Sequence, residues 1–238
     1  MPGQNDIGML LLHALPLDGS MWAAQMNLHP GATYAPTLYA FGETITDWAK
    51  NALELVPNEK IIVVGCSIGG SCALEIAAIA PERVDALVLI GTKASHRREP
   101  KLHQTAIDLI ENQGVDLAWE TYWAPLFSRT VSSNILGAAR ETALSQRAEE
   151  LARGVTVFHT RPDRARFVST LMIPVTVITG EEDIAPGVGT SESIAVSAPF
   201  GTLHVIPACG HFVPLEQPLA LQQILRDIIA ERCDAALN

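Results

Sequence analysis

Residues 60–80 read Lys60-Ile-Ile-Val-Val-Gly65-Cys-Ser67-Ile-Gly-Gly70-Ser-Cys-Ala-Leu-Glu75-Ile-Ala-Ala-Ile-Ala80, and the rest of the chain is arranged around them. Ile61 to Val64 is a β-branched apolar run, the pattern of a strand buried on both faces. From Ile68 the apolar positions change to helical spacing, through Cys72, Leu74, Ile76, Ala77 and Ile79. Between strand and helix lies Gly65-Cys66-Ser67-Ile68-Gly69, which matches Gly-x-Ser-x-Gly. So sharp a turn needs glycines where backbones crowd, and it holds the serine strained with its hydroxyl exposed. The helix start behind Ser67 aims N–H groups and a positive dipole end at whatever the serine attacks. Two other readings compete. One is a glycine-rich turn that only packs helix on sheet. The other is a dinucleotide-binding turn, but its second glycine falls at Ser67. Asp85, twenty residues past Gly65, also precedes the next strand instead of ending it.

The chain has 238 residues, 48% of them apolar, enough for one domain with a large core. No run reaches the roughly 18 consecutive apolar residues of a membrane span. Nothing at the N-terminus reads as a secretory signal, so a cytoplasmic protein is expected. Cys66, Cys72, Cys209 and Cys233 lack the paired spacing of a zinc site and are too few for a disulfide scaffold. No metal site is expected. Cys66 and Cys209 stand out only in flanking Ser67 and His211, where a pocket wall would run. The net charge of −10 argues against nucleic acid or an anionic membrane as partner. That charge is uneven: residues 93–166 carry 11 of the 16 lysines and arginines against 9 acids.

Gly8 to His13 is the first strand, and Ser20 is the expected cap of a helix from Met21-Trp22. Residues 33–38 read as a strand interrupted by Pro36, hence a sheet edge. Residues 44–56 have helical periodicity. Val84 to Ile90 is another buried strand, and residues 174–179 and 202–206 are two more, with a helix near 188–198 between them and a closing helix over 215–231. The alternation predicts an α/β architecture, a mostly parallel sheet of about six strands flanked by helices. Residues 93–170 break the rhythm, with helical segments at 102–112, 115–123, 134–153 and about 161–170 and no strand. The expected organisation is a core of 1–92 and 171–238 with a helical cap, 93–170, inserted after the strand at 84–90. Such a cap covers the sheet edge where open α/β sheets bind ligands.

A serine hydroxyl becomes a strong nucleophile only beside a base, and the base needs an orienting carboxylate. Both candidates stand at strand ends on the edge that carries Ser67. Gly180-Glu181-Glu182-Asp183-Ile184-Ala185-Pro186 offers three acids, and Pro207-Ala208-Cys209-Gly210-His211-Phe212 offers a histidine. The order Ser, acid, His is that of an α/β-hydrolase. Other histidines are less suited: His204 lies within a strand, and His96, His103 and His159 fall in the cap.

With these residues in view, the chain resembles the α/β-hydrolase superfamily, in its branch of small esterases, enol-lactonases and carbon–carbon bond hydrolases. The similarity covers about 7–92 and 165–235. Gly-Cys-Ser-Ile-Gly-Gly resembles the nucleophile elbow and implies Ser67 as nucleophile. Gly-Glu-Glu-Asp-Ile-Ala-Pro resembles the acid loop and implies Asp183. Gly-His-Phe-Val-Pro-Leu-Glu-Gln-Pro resembles the base loop and implies His211. His-Ala-Leu-Pro-Leu-Asp-Gly-Ser-Met-Trp resembles the loop that supplies half the oxyanion hole, through the N–H of Leu15. The second donor is the N–H of Ile68, and His13 resembles a structural residue of the same loop. Two features depart from the family pattern. Ala14 stands where glycine is usual, so a Cβ restricts the loop backbone. The chain also begins almost at the third strand of the family sheet, so the N-terminal antiparallel pair is expected to be missing. The edge then falls to the Pro36 strand, where an uncovered edge makes a homodimer contact the hypothesis.

Serine rather than aspartate at the elbow argues against epoxide hydrolases and haloalkane dehalogenases. The resemblance implies a serine hydrolase that cleaves a small carboxylic ester or lactone through an acyl-enzyme, with no cofactor. A carbon–carbon bond hydrolase using the same triad is the alternative, and a catalytically silent ligand-binding protein on the same scaffold is the alternative of another class. Trp119, Trp123, Phe127 and Phe212 are the aromatic candidates for the substrate pocket, although the two tryptophans, four residues apart, equally suit an apolar helix face. Arg140, Arg147 and Arg153, spaced along one predicted helix, read more simply as a solvated face than as a lure for carboxylate substrates.

Overall fold

The computed structural model describes residues 7–235. Six strands, β1 (Ile7–Leu12), β2 (Thr33–Tyr34), β3 (Lys60–Cys66), β4 (Val84–Ile90), β5 (Val175–Gly180) and β6 (Gly201–Ile206), form one sheet in the order β2-β1-β3-β4-β5-β6. Every pairing among the described residues is parallel. β1, β4 and β5 are buried almost throughout, and β3 is buried from Ile61 onward. That is why they read as unbroken apolar runs. Each fully buried Val, Leu or Ile among them contributes about 1.5–3 kcal/mol relative to exposure.

The helices are α1 (Ile45–Glu54), α2 (Ile68–Ile79), α3 (Pro100–Asp108), α4 (Val115–Ala118), α5 (Ser133–Ser145), α6 (Ala148–Thr160), α7 (Ala165–Val168), α8 (Val188–Ser197), α9 (Val213–Glu216) and α10 (Pro218–Ala235). α1 shows how local chemistry sets an element. Thr44 and Asp47 close a reciprocal capping box at its start, and Ile45, Trp48, Ala49 and Ala52 form its buried stripe. Between β4 and β5 the described chain is helical without a strand, α3 and α4 each running into a single π-helical turn.

The boundaries differ from expectation at several places, the closing helix among them, which is divided at Gln217 into α9 and α10. The strand anticipated over 33–38 stops at Tyr34, because Pro36 has no N–H and the N–H of Leu38 is taken by His13 Nε2 at 2.9 Å. An edge only two residues long offers little ladder for self-pairing. Asp18, not Ser20, caps the turn at Gly19–Trp22, its Oδ1 accepting the Ser20 N–H at 2.9 Å. The single helix expected over 134–153 is two, since Gln146 and Arg147 are both extended. Gln146 Nε2 there reaches Asp18 Oδ2 at 2.8 Å, a contact made only by tertiary folding. The segment expected over 161–170 reduces to the single turn α7.

Sheet order places the site. The chain runs from β1 outward to β2, then returns to β3 on the other side of β1, so the strand order reverses between β1 and β3. A crevice opens at such a point beyond the carboxyl ends of the strands. Leu12 is in register with Gly65, and Cys66 with Ile90, so the loops after β1, β3 and β4 emerge side by side.

Candidate active site

Ser67 sits at the sharp turn from β3 to α2 with φ 56° and ψ −115°. A non-glycine residue there stores about 1–3 kcal/mol, held only because its surroundings over-determine it. The Ser67 N–H donates to the Ile90 carbonyl at 2.8 Å, and its own carbonyl accepts from Gly70 N–H at 3.1 Å and Ser71 N–H at 3.2 Å. A Cβ at Gly65 would meet the Gly69 carbonyl oxygen at 2.2 Å, so the first glycine of the motif is required by the close passage of the last. The Ser67 side chain caps nothing and is left partly exposed at the N-terminus of α2.

Asp183 follows β5, and His211 follows β6. Both side chains are almost wholly buried, with His211 Nδ1 3.0 Å from Asp183 Oδ2. A carboxylate only accepts, so the proton sits on Nδ1 and leaves Nε2 as the basic nitrogen. The second Asp183 oxygen accepts the Ala185 N–H at 2.9 Å, which fixes the carboxylate plane. The neighbouring acids are engaged elsewhere: Glu182 accepts from the Arg129 N–H and Nε, and Glu181 approaches the Ala208 N–H. His211 and Ser67 line one pocket of about 260 Å³.

Leu15 lines the same pocket. Among the described residues the N–H groups of Leu15 and Ile68 are bonded to no protein acceptor, and the pairing of β1 with β3 brings their two loops together. Ala14 keeps an ordinary negative φ, since Ser67 and Ala208 alone among described non-glycine residues have positive φ, so its Cβ brings no left-handed strain. His13 is wholly buried. Its Nε2 accepts from Leu38 N–H, its Nδ1 donates to the Ala14 carbonyl at 3.1 Å, and burial pulls its pKa down to about 4. A neutral His13 therefore ties the Leu15 loop to the chain at Leu38.

Of the aromatic candidates, Trp123 lines the pocket. Trp119, Phe127 and Phe212 instead form a buried stack behind it, with ring centroids 5.9 Å apart for the first pair and 4.5 Å for the second. Burial pushes the Cys66 and Cys209 thiols up, and neither lines the pocket. Arg140, Arg147 and Arg153 are engaged away from the pocket: Arg140 pairs with Asp116, Arg147 with Glu149 and Arg153 with Glu43. Among the described residues no group of three or more His, Cys, Asp or Glu side chains is arranged to hold a metal ion.

Further residues around the site are not marked out by the sequence, among them Gly91, Glu216 and His159. Gly91, just after β4, packs on the His211 ring. Glu216 accepts the N–H groups of Gly210 and Phe212, on either side of His211, and of Ser128. His159 lines the pocket. Only Glu216 carried a signal, as part of the base-loop motif.

The model of the alpha/beta hydrolase family matches residues 9–222. The chain belongs to that family. It is 25% identical to a pimeloyl-acyl-carrier-protein methyl ester esterase of Aromatoleum aromaticum, over 93% of this chain and 97% of that protein. It is 26% identical to a 2-hydroxymuconate semialdehyde hydrolase of Pseudomonas sp. strain CF600, over 81% and 70%. A thermophilic esterase from Thermogutta terrifontis, solved with malate bound, superimposes with a TM-score of 0.85 at 26% identity, covering 95% of this chain and 90% of that one.

Proposed function

We propose that this alpha/beta hydrolase cleaves small carboxylic esters or lactones through an acyl-enzyme on Ser67. The observation that carries the reading is the buried Asp183–His211 pair at 3.0 Å beside a pocket that also holds a strained, uncapped Ser67. Ser67 Oγ attacks the substrate carbonyl while His211 Nε2 takes the hydroxyl proton. Asp183 holds the imidazole tautomer and stabilises the imidazolium. The N–H groups of Ile68 and Leu15 receive the oxyanion, each supplying roughly 3 kcal/mol in the transition state. His211 then returns the proton to the leaving alcohol. Water repeats the attack on the acyl-enzyme and releases the acid.

Residues 93–170 act in this reading as a cap. They supply eight of the twelve residues around the pocket, so they set which acyl and alcohol groups fit. Carbon–carbon bond cleavage is the second reading, supported by the semialdehyde hydrolase relative, and turnover of a vinylogous diketone against an enol-lactone separates the two. All four cysteines are free, in keeping with a reducing cytoplasm, and no helix among the described residues is long and apolar enough to cross a membrane. A homodimer through the β2 edge is a separate expectation, which a single-chain mass in light scattering would end.

The test is a fluorophosphonate followed by intact mass. One adduct on the wild type and none on Ser67→Ala supports the reading. A folded wild type that stays unlabelled by both this probe and a smaller organophosphate overturns it.

A further inference from the structure

The pocket lining holds a polar group that the proposed reaction itself does not use. The ring of His159, near the end of α6, faces the same cavity as Ser67 and His211. Among the described residues neither of its ring nitrogens has a hydrogen-bond partner. The ring is nevertheless held in place. His103 stacks on it at 5.1 Å and 16°, and His103 Nε2 is in turn fixed by Thr156 Oγ1 at 3.1 Å. Phe158 meets its edge at 5.2 Å, and His96 Nε2 bonds its carbonyl at 3.0 Å.

The charges around this ring are one-sided. Arg161 is buried, has no ion pair among the described residues, and lies 4.0 Å over Phe158, itself a pocket residue. A buried guanidinium without a directly paired carboxylate is costly. The nearest acid in sequence, Asp163, acts on Arg161 only from beyond ion-pair distance, its oxygens accepting the N–H groups of His96 and Ala165. No acidic side chain lines the pocket. Burial, then the proximity of His103, Arg161 and His96, pulls the His159 pKa down to about 4, which leaves a neutral imidazole in a positive field.

We propose that His159 receives a carboxylate carried by the substrate away from its scissile carbonyl, which makes half-esters of dicarboxylic acids, or carboxylate-bearing lactones, the substrate class. The proposal rests on the hydrolase reading above and narrows it. The carboxylate supplies a negative charge that the pocket lining lacks, and His159 donates to it either as the neutral ring or after taking up a proton.

The experiment compares the monoethyl esters of succinic, glutaric and adipic acids with ethyl esters bearing a methyl group in place of the free carboxylate. Wild type, His159→Phe and His159→Gln are assayed, each first titrated with fluorophosphonate to show that Ser67 is folded and reactive. Wild type is expected to favour at least one half-ester by about tenfold or more in kcat/KM. His159→Phe should erase that preference, lowering kcat/KM on the favoured half-ester about tenfold more than on its uncharged counterpart. His159→Gln, which keeps a neutral donor, should retain part of it. Labelled wild type without a charge preference, or equal losses on both substrates in the variants, overturns the carboxylate subsite and leaves the hydrolase reading intact. Unlabelled wild type removes both.

Discussion

Gly91 lies against the imidazole of His211: a Cβ on Gly91 would come within 2.8 Å of His211 Nδ1 and 3.0 Å of Asp183 Oδ2. It would stand where the Asp–His hydrogen bond now runs. Gly91 also has a φ of +53°, which an L side chain tolerates poorly. Glycine is thus required twice, for backbone conformation and for clearance.

Gly91→Ala should therefore damage activity out of proportion to stability. We expect the fold to lose about 1–3 kcal/mol, while displacing His211 lowers kcat by about a hundredfold. Urea denaturation and the rate of fluorophosphonate labelling measure the two effects. A variant with near-wild-type labelling would show that the pair relaxes around the methyl group.

Glu216 holds the His211 loop, accepting the N–H groups of Ser128 at 2.8 Å, Gly210 at 3.1 Å and Phe212 at 3.2 Å. Glu216→Ala leaves three backbone donors without their carboxylate, a loss of about 2–3 kcal/mol. Because two of them flank His211, kcat is expected to fall by about tenfold with KM little changed. Glu216→Gln keeps one acceptor and should fall between. An equal rise in KM would move the effect from the base to the pocket wall.

The end of the helical segment is fastened to α2 by a partly buried ion pair. Arg164 donates to Glu75 Oε2 through Nε at 3.0 Å and Nη2 at 2.6 Å, and Thr46 donates to Oε1 at 2.7 Å. The Glu75 side chain is 4% exposed and that of Arg164 28%, so the two ends are not equivalent. Arg164→Met strands a buried carboxylate and should cost about 3 kcal/mol. Glu75→Gln leaves an arginine able to reach water and should cost less. Chemical denaturation of both variants checks the order, and the reverse order would locate the buried charge on Arg164.

His13 predicts a pH dependence of stability. Its pKa is about 4 in the fold against an ordinary 6.5, so between these values the unfolded chain binds the extra proton. Stability therefore rises with pH through this window: it is fully present above about 6.5 and is lost as pH falls toward 4. The span amounts to about 3 kcal/mol from this residue. His13→Gln retains an acceptor for Leu38 N–H without the titration, and its urea midpoint should vary less between pH 7 and pH 4. An unchanged slope would assign the effect to His159, whose pKa is lowered in the same direction.

The sheet was legible in the chain because its causes are local. β4 begins and ends at the residues its apolar run marks out, and α2 begins at Ile68, where the spacing changes. Parallel strands all finish on one edge, so the loops bearing Ser67, Asp183 and His211 had to open on the same side of the sheet. The short edge strand and the break at Gln146 were not legible, because each depends on a hydrogen bond to a residue far along the chain, His13 in one case and Asp18 in the other.

By itself, then, the sequence determined the strand–helix alternation, the sharp turn at Ser67 and the edge on which the site lies, since these follow from periodicity and the conformational needs of single residues. Strand order and register decided the rest. With the packing of the helices they set Gly91 against His211, Glu216 against the same loop, and His159 in the pocket of Ser67, while leaving Trp119 and Phe127 outside its lining. Such contacts join positions whose separation along the chain carries no period, and only packing in three dimensions brings them within reach.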